Sequence, residues 1–181
     1  MSDQVVAAIK ELLVTPAPAS LGPQTRAGVL SEADLNAKLT PLLRQSEVST
    51  TRQELIRSLL LLWHDHLDAS HTISQGIENV DGSFVHAIMH RREPDYWNAK
   101  YWWRRVGAHP VFPELARQVK GVLEHQGAGE LATRILPGGK WSAEAFVDCC
   151  EQAENDVRLT GLLRDVQQTE TEVLLDFLLR S

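Results

Sequence analysis

The chain has 181 residues, 43% of them hydrophobic and 23% charged, with a formal net charge of −6. That length suits one domain whose fold buries roughly 70% of the unfolded surface, so no disulfide or metal is needed to hold it together. The acidic balance excludes the broad basic face of a general nucleic-acid binder. No apolar run approaches the ~20 residues of a membrane-spanning helix, and residues 59–63 stop at His64.

Residues 2–14 place Val5, Val6, Ile9, Leu12 and Leu13 at helical spacing. The stretch is amphipathic and carries acids, unlike a signal peptide. Three prolines within residues 15–23 then predict an arm laid over the surface. Ser31 to Asp34 resembles a capping sequence for a helix carrying Leu35, Leu39, Leu42 and Leu43, which Pro41 should kink or break. Thr51-Arg52-Gln53-Glu54 reads as a capping box opening the longest helix, residues 51–75, with Gly76, Asp81 and Gly82 as the turn after it. Helices follow over 84–92 and 95–106, the latter entered at Pro94 and closed by Gly107 and Pro110. Another covers 113–126, stopped by Gly127 and Gly129. Pro137-Gly138-Gly139 is a turn, Ser142 caps a helix to about Asn155, and a last helix carries Val173 to Leu179. Alternating strand patterns are nearly absent. The expected architecture is a single all-α helical bundle over residues 1–181, with an N-terminal helix and proline-rich arm over 1–30.

The unusual chemistry is concentrated in residues 51–110, which hold six of the seven histidines and four of the five tryptophans. Phased at ~100° per residue, the 51–75 helix has His66 and Ser70 inside its apolar sector. Each needs a partner there or costs on the order of 1–3 kcal/mol. His64, Asp68 and His71 follow i, i+4, i+7 spacing and stack on one stripe. Asp68 would orient a catalytic imidazole or join it as a ligand, and His64, His66 and Asp68 are the candidate acid–base groups. The competing reading of this stripe is a solvated helix edge. His86 and His90 are again i, i+4, opposite Phe84, Val85, Ile88 and Met89. Such a pair presents two neutral nitrogens to Zn, Mn or Fe, and with His71 it makes the candidate metal set. The inverse reading has the pair binding an anion together with Arg91 or Arg92.

The run Asp95 to Arg105 spreads its aromatics round the helix, which predicts burial for most of them. Trp97 or Trp102 would wall a ligand site, with Arg91, Arg92 and Arg104 holding an anionic or hydroxylated molecule. His109, just past a helix end, is expected to serve structure. Other features carry less chemistry. Pro137 to Lys140 lacks phosphate-loop spacing. Cys149 and Cys150 are adjacent, a poor geometry for a bridge, and read as inert reduced thiols of a cytoplasmic protein. Glu144, Asp148, Glu151, Glu154 and Asp156 read as a solvated face.

The block Trp63 to Asp68, Ser70 to Ile73, His90 to Tyr96 and Trp102 to Gly107 resembles an uncharacterised family of bacterial and fungal hypothetical proteins. It covers about the middle third of the chain and implies no catalytic residues. Three functions compete. The first is a metal-assisted small-molecule hydrolase or isomerase. The second is a metal-free module for a sugar, phosphate or carboxylate. The third is an interaction protein, expected as a homodimer with an exposed apolar stripe. No nucleic acid or membrane partner is expected.

Overall fold

The computed structural model describes residues 2–153 and 156–180. Among them there is no strand, and the elements are ten helices and one 3₁₀ turn. In chain order these are α1 (Asp3–Glu11), α2 (Glu32–Arg44), α3 (Thr50–Trp63), α4 (Leu67–Ser74), α5 (Val80–Arg92), α6 (Tyr96–Val106), α7 (Phe112–His125), α8 (Gly129–Ile135), α9 (Ala143–Gln152) and α10 (Val157–Leu179). Among the described residues, no helix is long and apolar enough to cross a membrane.

Local chemistry sets most of the starts. Ser2, Ser31, Ser49, Asn79, Asp95, Ser142 and Asp156 each accept a hydrogen bond from a first-turn backbone N–H, and a cap of this kind contributes about 1 kcal/mol. The cap of α3 is Ser49, two residues before the expected box. Helix α2 runs through Pro41. Pro41 and Ala37 both lie on the solvent face, so water can serve the carbonyl that loses its donor. Gly127, at φ 65°, stops α7 as expected, but Gly129 opens α8, an element that the sequence reading had merged into the stop. Helix α9 ends at Gln152; Glu154 and Asn155 lie outside the described residues.

The 51–75 helix is not continuous. His64, Asp65 and His66 interrupt it, with Asp65 at φ 68°. The backbone N–H of Asp65 donates to Leu62 and that of His66 to Leu61, the two reverse bonds of a Schellman stop. Glycine usually takes the left-handed position; here an aspartate does, and its carboxylate pairs with Arg26 and Arg92. The break invalidates any single phasing across residues 51–75. Helix α4 instead folds back on α3, where Ser58 and Ser70 bond to each other at 2.9 Å in the core. Ser70 is thus buried as its position predicted, with its partner on the preceding helix.

Helix α5 is the axis of the body. Every residue from Gly82 to Arg92 is buried, and α3, α4 and α6 pack around it. Gly82 lies inside its first turn, not in the preceding loop. A Cβ there would come within 2.1 Å of the Ile77 carbonyl, so only glycine allows this approach. Helix α10, at 23 residues the longest, runs against α3 and α7. Its buried Gln167 and Glu170 meet Arg91 of α5. The proline-rich arm is fastened down by its carbonyls: Gln167 Nε2 donates to Ala19 and Ser20 at 3.1 and 3.0 Å, and Arg164 donates to Pro18.

Candidate metal centre

A helix buried on all sides normally carries apolar side chains all round. Helix α5 carries His86, His90, Arg91 and Arg92, and each must find a polar partner or a ligand. The terminal nitrogens of both arginines are paired, while each Nε is buried without a hydrogen-bond partner. Arg91 forks onto Glu170, donating Nη1 to Oε1 at 3.1 Å, and also reaches Gln167 at 3.2 Å. Its guanidinium lies 4.3 Å over the Phe146 ring. Burial pulls Arg91 down, but the Glu170 charge and hydrogen bonds hold it above the ordinary guanidinium value. Arg92 donates to Asp65 at 2.7 Å, to the Gly22 carbonyl at 3.3 Å, and to the Leu62 carbonyl.

The histidines are served differently. His71 of α4 meets His86 and His90 of α5, and the donor atoms of all three lie within 4.8 Å of one another. The break at Asp65 creates this meeting, because it turns α4 back against α5. His86 and His90 are buried, and His71 is half-exposed. The Nε2 atoms of His86 and His90 are 3.0 Å apart. Two nitrogens each ~2.1 Å from one ion and so separated would subtend roughly 90°, an angle suited to an open or octahedral site. His90 Nδ1 is held by Glu93 at 3.1 Å, the arrangement in which a carboxylate fixes a ligating imidazole. The Asn98 side-chain amide stands 3.1 Å from His90 Nε2. His86 Nδ1 is buried without a hydrogen-bond partner, and neither ring nitrogen of His71 has one among the described residues.

This packing disfavours protons. Burial, then the neighbouring His90 and His71, lowers His86 to about 3. Burial also lowers His90, although Glu93 opposes it. Two imidazoles so disposed to be neutral, with His71 beside them, make a donor set for a divalent cation. Trp102 stacks on His86 at 4.1 Å, and Arg105 lies 5.1 Å over Trp102.

The other residues singled out from the sequence lie elsewhere. His64 accepts the Leu30 N–H at Nδ1, 3.1 Å, and donates Nε2 to the Leu12 carbonyl at 2.8 Å. His66 donates to the Leu30 carbonyl at 2.8 Å. Asp68 is exposed, in a cleft of about 400 Å³ that Glu93 also lines. Its expected stripe with His64 and His71 does not form, because the helix is broken between them. Arg104 pairs with Glu144 on the surface. Trp97 is 73% and Tyr101 42% exposed, so α6 is not buried all round; Trp103 fills the core. His109 is buried and structural, bonded to Asp81 at 2.9 Å and to the Val111 N–H. Cys149 and Cys150 are buried free thiols.

Residues missed from the sequence are Asp65, Glu93 and Glu170, whereas the Asn98 amide was expected to give a directed hydrogen bond to a ligand. Glu93 carried a readable signal, since it lies three residues after His90. No family model, curated protein or solved structure matches the chain.

Proposed function

We propose that the chain binds a divalent cation, Zn, Mn or Fe, at His71, His86 and His90 and acts as a metal-assisted hydrolase or isomerase of a small molecule. One observation carries the reading: three imidazoles from two helices converge with their donor atoms within 4.8 Å of one another, the Nε2 atoms of His86 and His90 3.0 Å apart. Three protein donors leave coordination positions for water or substrate, as catalytic sites require. A bound cation there would supply Lewis acidity toward water or a substrate carbonyl. Glu93 fixes the plane and tautomer of His90. Half-exposed His71 marks the side open to solvent. Trp102 offers a flat wall beside His86, Asn98 a directed hydrogen bond, and Arg105 a cation for a hydroxylated or anionic substrate.

An anion held by Arg91 and Arg92 without a metal is the weaker reading. The terminal nitrogens of both guanidiniums already have buried partners, and two neutral imidazoles attract no anion. The test is elemental analysis of protein made without an affinity tag, with calorimetric titration of Zn, Mn and Fe(II) into the stripped protein. One ion per chain, lost in His86→Ala and His90→Ala, is expected. No ion on the purified protein and no binding on titration would end the proposal.

A further inference from the structure

A second site lies between α7 and the turn that follows α8. It is a cleft of about 550 Å³ whose floor is Phe112, Ala116 and Trp141 and whose rim carries Arg117, Lys120 and Lys140. No acidic side chain lines it, although the whole chain has a net charge of −6. The volume falls in the range of small-ligand pockets, ~300–1,000 Å³, and apolar walls with a few charges at one edge are their usual composition.

The three cations are not equivalent. Arg117 is held by Glu114 through two hydrogen bonds, at 2.9 and 2.6 Å, so its charge is already matched. Lys120 has only a loose contact with Glu124 at 3.7 Å. Lys140 is exposed and makes no ion pair among the described residues. The floor, by contrast, is fixed. Trp141 is buried against Phe146 with ring centroids 5.3 Å apart, and Phe112 packs on Phe84 and His109. The Trp141 indole Nε1–H is buried with no hydrogen-bond partner. His109, which also lines the cleft, has both ring nitrogens engaged by Asp81 and Val111. The cleft thus offers a preformed apolar floor, one unpaired and one loosely paired ammonium group at its edge, and no acidic side chain in its lining.

We infer that this cleft binds a small amphipathic carboxylate, an alkyl or aryl acid whose apolar body lies on Phe112, Ala116 and Trp141 and whose carboxylate is held by Lys120 and Lys140. The site is separate from the histidine cluster and needs no metal. Titration calorimetry of decanoate into the full chain with EDTA present tests it, with decanol and acetate as parallel probes. Decanoate should bind one to one, decanol at least tenfold more weakly, and acetate not measurably. Lys120→Glu together with Lys140→Glu, both at exposed positions, should weaken decanoate at least tenfold, with the circular dichroism spectrum unchanged. His86→Ala should bind decanoate as the parent does, which separates this site from the proposed metal. Failure of decanoate to bind at millimolar concentration would overturn the inference. So would equal affinity for decanol, or unchanged affinity in the double lysine variant.

Discussion

His64 and His66, at the joint between α3 and α4, and His86 and His90, four residues apart on α5, are alike in residue type, and all but the half-buried His66 are buried. Their ring nitrogens meet opposite surroundings. At the joint, His64 spans the Leu12 carbonyl and the Leu30 N–H, His66 reaches the Leu30 carbonyl, and Asp65 between them takes Arg26 and Arg92. Each imidazole there has a fixed backbone partner. On α5 the rings face each other and His71, and the buried Nδ1 of His86 has no partner. A buried polar atom costs on the order of 1–3 kcal/mol when unmatched. An arrangement that brings three ring donors to a common point is better suited to holding an ion than to holding a fold. Histidine content does not separate the two regions; the destination of each ring nitrogen does.

The strongest way to break the comparison is to exchange the outcomes. His86→Ala or His90→Ala should lower affinity for Zn at least a hundredfold by calorimetry, whereas His64→Gln and His66→Gln should leave it within about threefold. Changing a residue that only orients a ligating imidazole costs 10–100-fold, so loss of a direct ligand must cost no less. If His64→Gln weakens Zn as much as His86→Ala, the two regions are not distinct.

Next in size is the joint itself. Burial pushes the Asp65 carboxyl up, but the hydrogen bonds of Arg26 and Arg92 outweigh it and hold it below the usual value. Asp65→Ala leaves the Arg92 charge buried and unpaired, and should cost about 3–5 kcal/mol in urea unfolding. Asp65→Ala with Arg92→Met should recover much of that loss. The single variant should also free the arm, since Arg92 holds Gly22 and Arg26 holds Ala17. Protease cleavage within residues 15–23 would report it. Smaller still is Glu93→Gln, which keeps the shape but weakens the hold on His90 Nδ1. It should lower Zn affinity 10–100-fold and leave apo stability within ~0.5 kcal/mol.

Helix spacing and caps made the all-α architecture legible, and the i, i+4 pair of His86 and His90 marked two of the three converging imidazoles. The sequence also placed His71 beside that pair in the candidate metal set, and the structure brings the three together, although its expected stripe with His64 and Asp68 does not form. The stop at Asp65 escaped notice because such a position is normally signalled by glycine, and an aspartate there is justified only by Arg26 and Arg92, 39 and 27 residues away. The roles of Arg91 and Arg92 were illegible for the same reason. Arginines are mostly exposed, and only the packing of α10 on the body reveals that Glu170, 79 residues from Arg91, is its partner. Trp97 and Tyr101 were hard to place because an aromatic run spread round a helix predicts burial, and no neighbouring element covers that side of α6.

The smallest effect isolates the joint from the cluster through acid. Burial lowers His64 below the ordinary imidazole value of 6.5, despite the Leu12 carbonyl, which favours its proton. The unfolded chain therefore takes up the proton before the folded chain does. Stability from this group is complete above a pH of about 6.5 and is lost as pH falls below it toward the folded value. His86 and His90 act in the same direction, so the measurement belongs in a His86→Ala, His90→Ala background. There, unfolding free energy should decline between pH 7.5 and 5, and adding His64→Gln should flatten the decline by at most about 1.4 kcal/mol per pH unit. Amide exchange should show α1 and residues around Leu30 opening first in acid, because His64 ties both to α3. If exchange accelerates equally across the whole body, or the slope is the same with and without His64, then the joint does not depend on a neutral imidazole and the contrast with the cluster loses one of its two sides.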